Sequence, residues 1–445
     1  MNNLALRHYL LAIVALSLFG CSSNEMYRND YKSVCTYKAV GSCAHSALQV
    51  SNPGAEEEYR LGFVEYDDHG QLRDPEQMQA LVDAYYVFAA TDDVLLITFV
   101  HGWHHSAKPE DGNIASFRKM LAQMSKTEAL ASQQQGRQKR KVLGVYIGWR
   151  GDSLTLPVVK NLTFWGRKNT AHQVGQQGVT EVLLKLEQIV NVKVGMSPKN
   201  PPPVNSRMVV IGHSFGGAVV YASLQKILAD RFLDSRRGLT SQGDAKGFGD
   251  LVVLMNPAFE ALRFAALYDT AQEGCRAYKD TQLPKLLILT SETDYATKYA
   301  FPAGRVFSTL FDSDVNLQRH FCEARSRAGI REMRVSEGQA NRNTVGHFSP
   351  YLTHRLKPVV TQPSRGGEYQ IKQIQSTWGQ QKEPGAIDFV GSQLVSLGRT
   401  DALNPYLNVQ VDKALIKDHN DIWGEEITSF IRDMIVISTT PSSAE

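Results

Sequence analysis

Short apolar runs alternate with helix-length segments through the middle of this chain. Runs of leucine and β-branched residues without polar alternation are typical of strands buried on both faces. Alternation of strand and helix favours a parallel sheet that right-handed crossovers cover on both sides. The sequence therefore predicts an α/β fold with a mostly parallel central sheet and helices on both faces. The predicted strands are 94–100, 142–147, 208–211, 251–255, 286–289 and 406–415, and the predicted helices are 115–124, 174–190, 217–228 and 422–435.

The segments outside this pattern differ from it in character. Residues 21–89 are polar and are predicted to form an irregular N-terminal extension with a possible helix at 78–88. Residues 301–402 are rich in arginine and glycine, with weak apolar periodicity, which predicts an insertion, either a surface elaboration or a cap over the substrate.

With 48 Lys and Arg against 45 Asp and Glu, the net charge of +3 is too small to indicate a nucleic-acid partner.

The first residues of the chain have the pattern of an export signal. A short polar start precedes an apolar run at 9–19, which is too short to span a bilayer, and small residues follow around Cys21. Residues 18–21, Leu-Phe-Gly-Cys, resemble the bacterial lipobox. This resemblance implies a lipoprotein signal peptide at 1–20 and acylation of Cys21, which would anchor the protein to a membrane. Ser22 resembles the outer-membrane sorting class, which implies a location in the cell envelope, facing the periplasm.

The other four of the five cysteines suggest disulfides, because an exported protein meets an oxidising compartment. Four cysteines allow three connectivities. We favour Cys35 with Cys43 and Cys275 with Cys322, since each is the nearest partner along the chain. The alternative is four buried free thiols.

A Gly-x-Ser-x-Gly motif lies where a predicted strand gives way to a predicted helix. It spans residues 212–216, Gly-His-Ser-Phe-Gly. A nucleophile on such a turn projects from the carboxyl end of the sheet, and glycines on either side let the backbone turn tightly. The positive end of the following helix would face Ser214. This context makes Ser214 the candidate nucleophile; the alternative is a glycine-rich turn with an incidental serine.

The predicted strand at 94–100 runs into a histidine-rich loop at 101–105, His-Gly-Trp-His-His. Acyl transfer develops an oxyanion that backbone N–H groups stabilise. We expect the N–H groups of Trp103 and Phe215 to form this oxyanion site. His101 and His105 could instead ligate a metal, but the sequence has neither an HExxH motif nor paired CxxC motifs, so no metal is predicted.

On these motifs, residues 90–300 and 403–437 resemble the α/β-hydrolase superfamily, in particular serine hydrolases of the esterase and lipase type. The resemblance implies the chain order nucleophile, acid, base. It also implies that the acid follows a late strand and that the base lies in the loop before the last helix. On that template the acid is Asp294, and Glu292 is the alternative acid.

Two histidines are candidates for the base. His419 lies between the last predicted strand and the last predicted helix, where the superfamily has its histidine. His347 follows Asp294 after a more usual interval, but no clear strand precedes it. We favour His419 and keep His347 as the alternative base. His213, beside the nucleophile, is interpreted as a packing residue.

Together the motifs predict a serine hydrolase that cleaves a carboxylic ester, a lipid or another acyl ester, through an acyl-enzyme on Ser214. His419 would take the proton of Ser214, and Asp294 would hold the tautomer of His419. This mechanism requires no metal and no organic cofactor. The alternative is a non-catalytic envelope protein that uses a hydrolase fold for binding or as a scaffold.

Overall fold

The structure, a computed structural model, describes most of the chain. The predicted signal peptide at 1–20 and the predicted acylation site Cys21 lie outside the described residues. Within the described residues, no helix combines the length and the apolar character needed to cross a membrane. The described residues are 25–149, 151, 168, 170–193, 205–235, 244–275, 278–309, 314–323, 330–359, 378, 385–401 and 403–439.

A single large sheet organises the described residues. The strands are β1 Cys35–Tyr37, β2 Leu48–Ser51, β3 Tyr59–Glu65, β4 Val94–Val100, β5 Lys141–Gly148, β6 Arg207–His213, β7 Leu251–Met255, β8 Leu286–Ser291, β9 Asn316–Cys322, β10 Ile330–Ser336, β11 His354–Pro358, β12 Ala386–Phe389, β13 Ser392–Ser396 and β14 Tyr406–Val411. Twelve strands form one sheet in the order β1-β2-β3-β5-β4-β6-β7-β8-β14-β11-β13-β12, and β9 pairs with β10 in a separate antiparallel hairpin. Every neighbouring pair from β3 to β11 in this order is parallel, so the predicted α/β class with a mostly parallel sheet is confirmed.

Helices connect the parallel strands. They are α1 Pro75–Thr91, α2 Gly112–Gln135, α3 Thr180–Val190, α4 Phe215–Asp234, α5 Ala261–Gln272, α6 Phe301–Ser308, α7 Glu337–Arg342 and α8 Glu425–Thr439. A π-helical turn, Gly175–Val179, leads into α3, and a second π-helical turn, Ala296–Ala300, leads into α6.

Two glycines show that the helices cover both faces of the sheet. Gly62 of β3 pairs with Val145 of β5, so Gly62 and Gly144, the residue before Val145, face opposite sides. A Cβ on Gly62 would lie 2.1 Å from Leu81 of α1, whereas a Cβ on Gly144 would lie 2.3 Å from Leu121 of α2. Helices α1 and α2 therefore pack on opposite faces.

The predicted elements are present, but several are longer than the apolar pattern indicated, and β14 is shorter, since it ends at Val411 and not at the predicted residue 415. Helix α2 extends from Gly112 to Gln135, beyond the predicted 115–124, because its second half is mostly polar and gives a weak periodic signal. Its ends are set by Asp111, whose side chain accepts from the N–H of Asn113, and by Gly136 in the left-handed conformation.

The N-terminal extension and the insertion are less irregular than predicted. Residues 35–65 contribute β1, β2 and β3 to the large sheet, and β11, β12 and β13 from the segment 301–402 extend its other end. Charged residues obscured β3 in the sequence: buried Glu65 accepts hydrogen bonds from the backbone N–H groups of Tyr27 and Arg28. A charge satisfied in this way can lie inside a sheet.

Both favoured cysteine pairs lie at disulfide distance. The Cα atoms of Cys35 and Cys43 are 5.8 Å apart, and those of Cys275 and Cys322 are 5.3 Å apart. The second pair ties the residues that follow α5 to the end of β9. It therefore fastens the β9–β10 hairpin to a helix of the main body.

Candidate active site

Ser214 occupies the turn between β6 and α4 in a backbone conformation that few residues adopt. Its φ is 55° and its ψ is −120°. A non-glycine residue in such a region costs of the order of 1–3 kcal/mol and persists only where neighbouring contacts hold it. Three backbone hydrogen bonds do so: Ser214 N–H donates to the carbonyl of Met255, and the N–H groups of Ala218 and Ala258 donate to the carbonyl of Ser214.

The glycines on either side of Ser214 are required by close backbone contacts. A Cβ on Gly216 would lie 2.1 Å from the carbonyl oxygen of Val100, and a Cβ on Gly212 would lie 2.7 Å from the carbonyl oxygen of Gly216. Neither position has room for a side chain. The Gly-x-Ser-x-Gly pattern thus follows from the packing of the turn against the end of β4 and on itself.

Ser214, His419 and Asp294 form a continuous hydrogen-bonded chain. His419, in the loop between β14 and α8, has its Nε2 2.7 Å from Ser214 Oγ and its Nδ1 2.8 Å from Asp294 Oδ2. The side chain of Asp294 is fully buried, while that of His419 is 19% exposed. Because a carboxylate only accepts, Nδ1 of His419 carries the hydrogen and Nε2 is free to accept the proton of Ser214. The arrangement can therefore activate the serine hydroxyl.

Asp294 follows β8 and is held by the turn that comes next. Its Oδ1 accepts from the N–H of Thr297, 3.1 Å away, and its Oδ2 accepts from the hydroxyl of Thr297. Burial alone would raise the pKa of Asp294, but its electrostatic interaction and hydrogen bond with His419 and the two donors of Thr297 outweigh this effect. The pKa of Asp294 consequently lies below its ordinary value, and the carboxylate stays ionised at neutral pH.

Two side chains fix the backbone of the His419 loop. His213 Nε2 and Asn256 Nδ2 each lie 2.9 Å from the carbonyl oxygen of His419, to which both donate. Burial is the main cause that lowers the pKa of His213 to about 3, and the electrostatic interaction with His419 lowers it further. The ring of His213 is therefore neutral at pH 7. His213 is therefore more than the packing residue that the sequence indicated, since it joins the nucleophile turn to the His419 loop.

The loop after β4 approaches Ser214 closely. A Cβ on Gly102 would lie 2.8 Å from Cβ of Ser214, so only glycine fits there. His101 Nδ1 donates to the carbonyl of Gly102 at 2.8 Å, and His101 Nε2 accepts from the N–H of Trp149 at 3.0 Å. Since a trans peptide has its C=O and N–H on opposite sides, the ring of His101 fixes the direction of the Trp103 N–H. Burial lowers the pKa of His101 to about 4, which keeps this neutral tautomer.

Of the two predicted oxyanion donors, Phe215 directly follows Ser214, and Trp103 follows Gly102, which lies against Ser214. Phe215 is the next residue, the first of α4, and is fully buried. Trp103 follows Gly102, and its indole stacks on His104 with the ring centroids 4.0 Å apart. Both backbones thus belong to segments whose positions are fixed by contacts with the nucleophile turn.

The histidines considered as metal ligands are used in other ways. Both ring nitrogens of His101 are engaged by backbone groups, as described above, and Nδ1 of His105 lies 3.0 Å from Asp111 Oδ1. Asp111 also caps α2, so the His105 contact fastens the loop to that helix. Among the described residues, no group of three or more His, Cys, Asp or Glu side chains is placed to hold a metal ion.

Glu292, the alternative acid, and His347, the alternative base, are not members of the hydrogen-bonded chain of Ser214, His419 and Asp294. Glu292 lies near Arg355, with 3.8 Å between the charged groups, and accepts from the N–H of Lys413. His347 lies on the 3₁₀ turn Val345–His347, with its Nε2 3.1 Å from the hydroxyl of Thr297. His347 therefore contacts the residue that holds Asp294.

Asn256 and Thr297 were missed in the sequence. Asn256 directly follows β7 and has a φ of 44°, and a polar residue after a buried strand is the signal that could have indicated it. Thr297 stands three residues after Asp294, the spacing at which a carboxylate caps a helical turn.

No protein-family model, curated protein or solved structure matches this chain.

Proposed function

We propose that this protein is a serine hydrolase of the α/β-hydrolase type that cleaves a carboxylic ester, a lipid or another acyl ester, through an acyl-enzyme on Ser214. One observation carries the proposal: the buried Asp294 is joined through both nitrogens of His419 to the hydroxyl of a serine held at a φ of 55°. A scaffold has no chemical need for a proton path that ends at a strained serine.

The reaction would proceed in two steps. His419 Nε2 takes the proton of Ser214 as Oγ attacks the ester carbonyl, and the same nitrogen then gives that proton to the departing alkoxide. The acyl group remains on Oγ. Water, which gives a proton to His419, attacks the acyl carbon in the second step, and the carboxylic acid leaves as Ser214 regains its proton. Asp294 keeps the hydrogen of His419 on Nδ1 and stabilises the imidazolium in both steps.

Backbone N–H groups of Phe215 and Trp103 would stabilise the oxyanion. The positive end of α4 favours negative charge beside Ser214, and His101 holds the Gly102–Trp103 peptide in one direction. One such donor contributes roughly 3 kcal/mol to the transition state. The donors are preorganised, because the loop and the turn are fixed before substrate arrives.

We further propose that an acyl chain on Cys21 anchors the protein to the cell envelope, at the outer membrane and facing the periplasm. The lipobox-like segment 18–21 supports this location. Its test is the distribution of full-length protein between membrane and soluble fractions. A Cys21→Ser protein that stays in the membrane fraction would contradict the anchor.

Reaction with a fluorophosphonate probe tests the catalytic proposal directly. We expect the wild-type protein to be labelled, Ser214→Ala to be unlabelled, and His419→Ala to be labelled at least a hundredfold more slowly. His69→Ala, an exposed histidine on a loop, is the matched control and should label as the wild type does. A folded wild-type protein that resists the probe, and that does not hydrolyse p-nitrophenyl esters, would favour the binding or scaffold alternative.

A further inference from the structure

We infer that His347 is a positioning residue that acts through Thr297 to fix the carboxylate of Asp294 for its work with His419. The inference rests on the proposed function, because it gives His347 a part in the same reaction. His347 touches neither Ser214 nor substrate in this account. Its effect passes through two hydrogen bonds.

The direction of each hydrogen bond follows from the chemistry of the groups. An ionised Asp294 only accepts, so the single hydroxyl hydrogen of Thr297 points to Asp294 Oδ2. The hydroxyl oxygen of Thr297 is then left as an acceptor toward His347 Nε2, 3.1 Å away, and that nitrogen must carry a hydrogen. The chain therefore runs from His347 through Thr297 and Asp294 to His419.

Asp294 Oδ2 is the oxygen that receives both Thr297 and His419. The hydroxyl of Thr297 and Nδ1 of His419 converge on this one atom, while Oδ1 takes the backbone N–H of Thr297. A hydroxyl that rotates away would leave Oδ2 to His419 alone. His347 prevents this rotation. The N–H of His347 donates to a lone pair of the Thr297 hydroxyl, and that lone pair faces His347 only when the hydroxyl hydrogen points to Asp294.

Packing holds the turn that carries His347 to the same sheet edge as the reacting groups. A Cβ on Gly346 would lie 1.9 Å from Thr290 of β8, so the turn lies directly on that strand. Asn408 of β14 donates to the carbonyl of Val345, and the hydroxyl of Thr344 donates to the carbonyl of Thr297. The turn is thus fixed to the strand that precedes Asp294 and to the strand that precedes His419.

The charges around His347 leave its ring neutral. Burial, which outweighs the field of Asp294, lowers the pKa of His347 to about 4, and Lys298 and His419 act in the same direction as burial. A neutral ring with its hydrogen on Nε2 is a steady donor to Thr297 across the pH range in which a His base works. It does not bring a second positive charge next to the imidazolium of His419.

The test compares two substitutions of His347 with a matched substitution elsewhere. His347→Gln keeps an N–H near the position of Nε2, and His347→Leu removes it. His354→Leu is the control, because His354, which is buried, also contacts a threonine hydroxyl, that of Thr353 at 2.9 Å. We expect His347→Leu to lower kcat about tenfold with KM unchanged, and His347→Gln to stay within about threefold of the wild type.

Two further readouts separate positioning from packing. With Thr297 released, Oδ2 of Asp294 attracts the imidazolium of His419 more strongly, so the acid limb of kcat/KM in His347→Leu should move to higher pH. Thr297→Val should move it likewise, and combining the two substitutions should add no further loss. We expect His354→Leu to lose thermal stability with no change in its pH profile. If His347→Leu behaves in the same way, the inference is overturned.

A proton resonance tests the inference without turnover. The hydrogen between His419 Nδ1 and Asp294 should resonate far downfield in full-length wild-type protein at low temperature. We expect the same resonance in His347→Gln and a shifted or broadened one in His347→Leu and Thr297→Val. An identical resonance in all four proteins would overturn the role of His347 even if the fluorophosphonate probe labels Ser214. A wild-type protein that resists the probe but shows these differences in resonance would overturn the proposed function and leave only the hydrogen-bonded contact of His347 with Thr297 and Asp294.

Discussion

The side chain of His213 donates a hydrogen bond to the backbone carbonyl of His419, 206 residues further along the chain. The two imidazole rings lie 5.2 Å apart. The residue beside Ser214 therefore fixes the loop that carries His419. Displacement of either segment would disturb the distance between Ser214 Oγ and His419 Nε2.

Loss of this contact should lower activity although no reacting group is removed. We expect His213→Leu and Asn256→Ala each to reduce kcat on p-nitrophenyl acetate about tenfold, because each leaves the carbonyl of His419 with one donor fewer. One intramolecular hydrogen bond contributes about 0.5–1.5 kcal/mol to stability, so urea unfolding should record a loss of this size. Unchanged kcat in His213→Leu would contradict the positioning of the loop by His213.

The strained backbone of Ser214 predicts a difference in stability between two substitutions of this residue. Ser214→Gly should be more stable than Ser214→Ala by about 1 kcal/mol, since glycine adopts a φ of 55° without the steric cost that alanine retains. Thermal unfolding of both proteins measures the difference. Equal stability, or a less stable glycine variant, would mean that the turn stores no strain at Ser214.

Buried neutral histidines predict a loss of stability in acid. Burial lowers the pKa of His101 to about 4, that of His213 to about 3 and that of His354 to about 4. Unfolded histidines bind protons near pH 6.5, so from pH 6.5 down to about 4 the unfolded state holds more protons than the folded state. The free energy of unfolding should therefore fall as the pH falls, by up to about 1.4 kcal/mol per pH unit for each histidine.

Urea unfolding at intervals from pH 7 to pH 4 tests this dependence. His354→Phe removes one of these groups, and its unfolding free energy should fall less steeply than that of the wild type over the same range. A variant that keeps the full slope would contradict the neutral state of His354.

The two disulfides should differ in their contributions to stability. Cys275 and Cys322 are 47 residues apart, whereas Cys35 and Cys43 are 8 residues apart. Loop-closure entropy gives about 4 kcal/mol for the longer loop and about 2.5 kcal/mol for the shorter one. The double substitution of Cys275 and Cys322 by serine should therefore lower Tm more than the same change at Cys35 and Cys43, and the reverse order would contradict the entropic account.

Much of the candidate site could be predicted because parallel strands bring their carboxyl ends to one edge. Ser214, Asp294 and His419 follow β6, β8 and β14, and each strand was visible as an apolar run. Once the sheet is predicted, the loops that follow those strands are expected at the same edge, and these loops carry Ser214, Asp294 and His419. The sequence discriminates less well between His419 and His347 as the base. Both are near Asp294, His419 through a direct hydrogen bond and His347 through Thr297.

The contacts that hold the site could not be predicted in the same way. Asn256 and His213 bind the backbone carbonyl of His419, and backbone carbonyls leave no signal in the sequence. The partnership of His347 with Thr297 depends on the position of a 3₁₀ turn that only tertiary packing fixes. Strand β3 could not be predicted because it contains Glu65. The backbone N–H groups that satisfy this side chain belong to a segment distant in sequence.

The order of strands in the sheet has a consequence for folding. β14 lies between β8 and β11, both of which precede it in the chain, so β8 and β11 are joined into one sheet only when β14 has been inserted between them. Before that insertion, the growing protein has two open edges that can pair with other chains. The same strand leads into the His419 loop. Completion of the sheet and arrival of His419 beside Ser214 are therefore one event, and a partly folded chain would lack the hydrogen bond between His419 Nε2 and Ser214 Oγ.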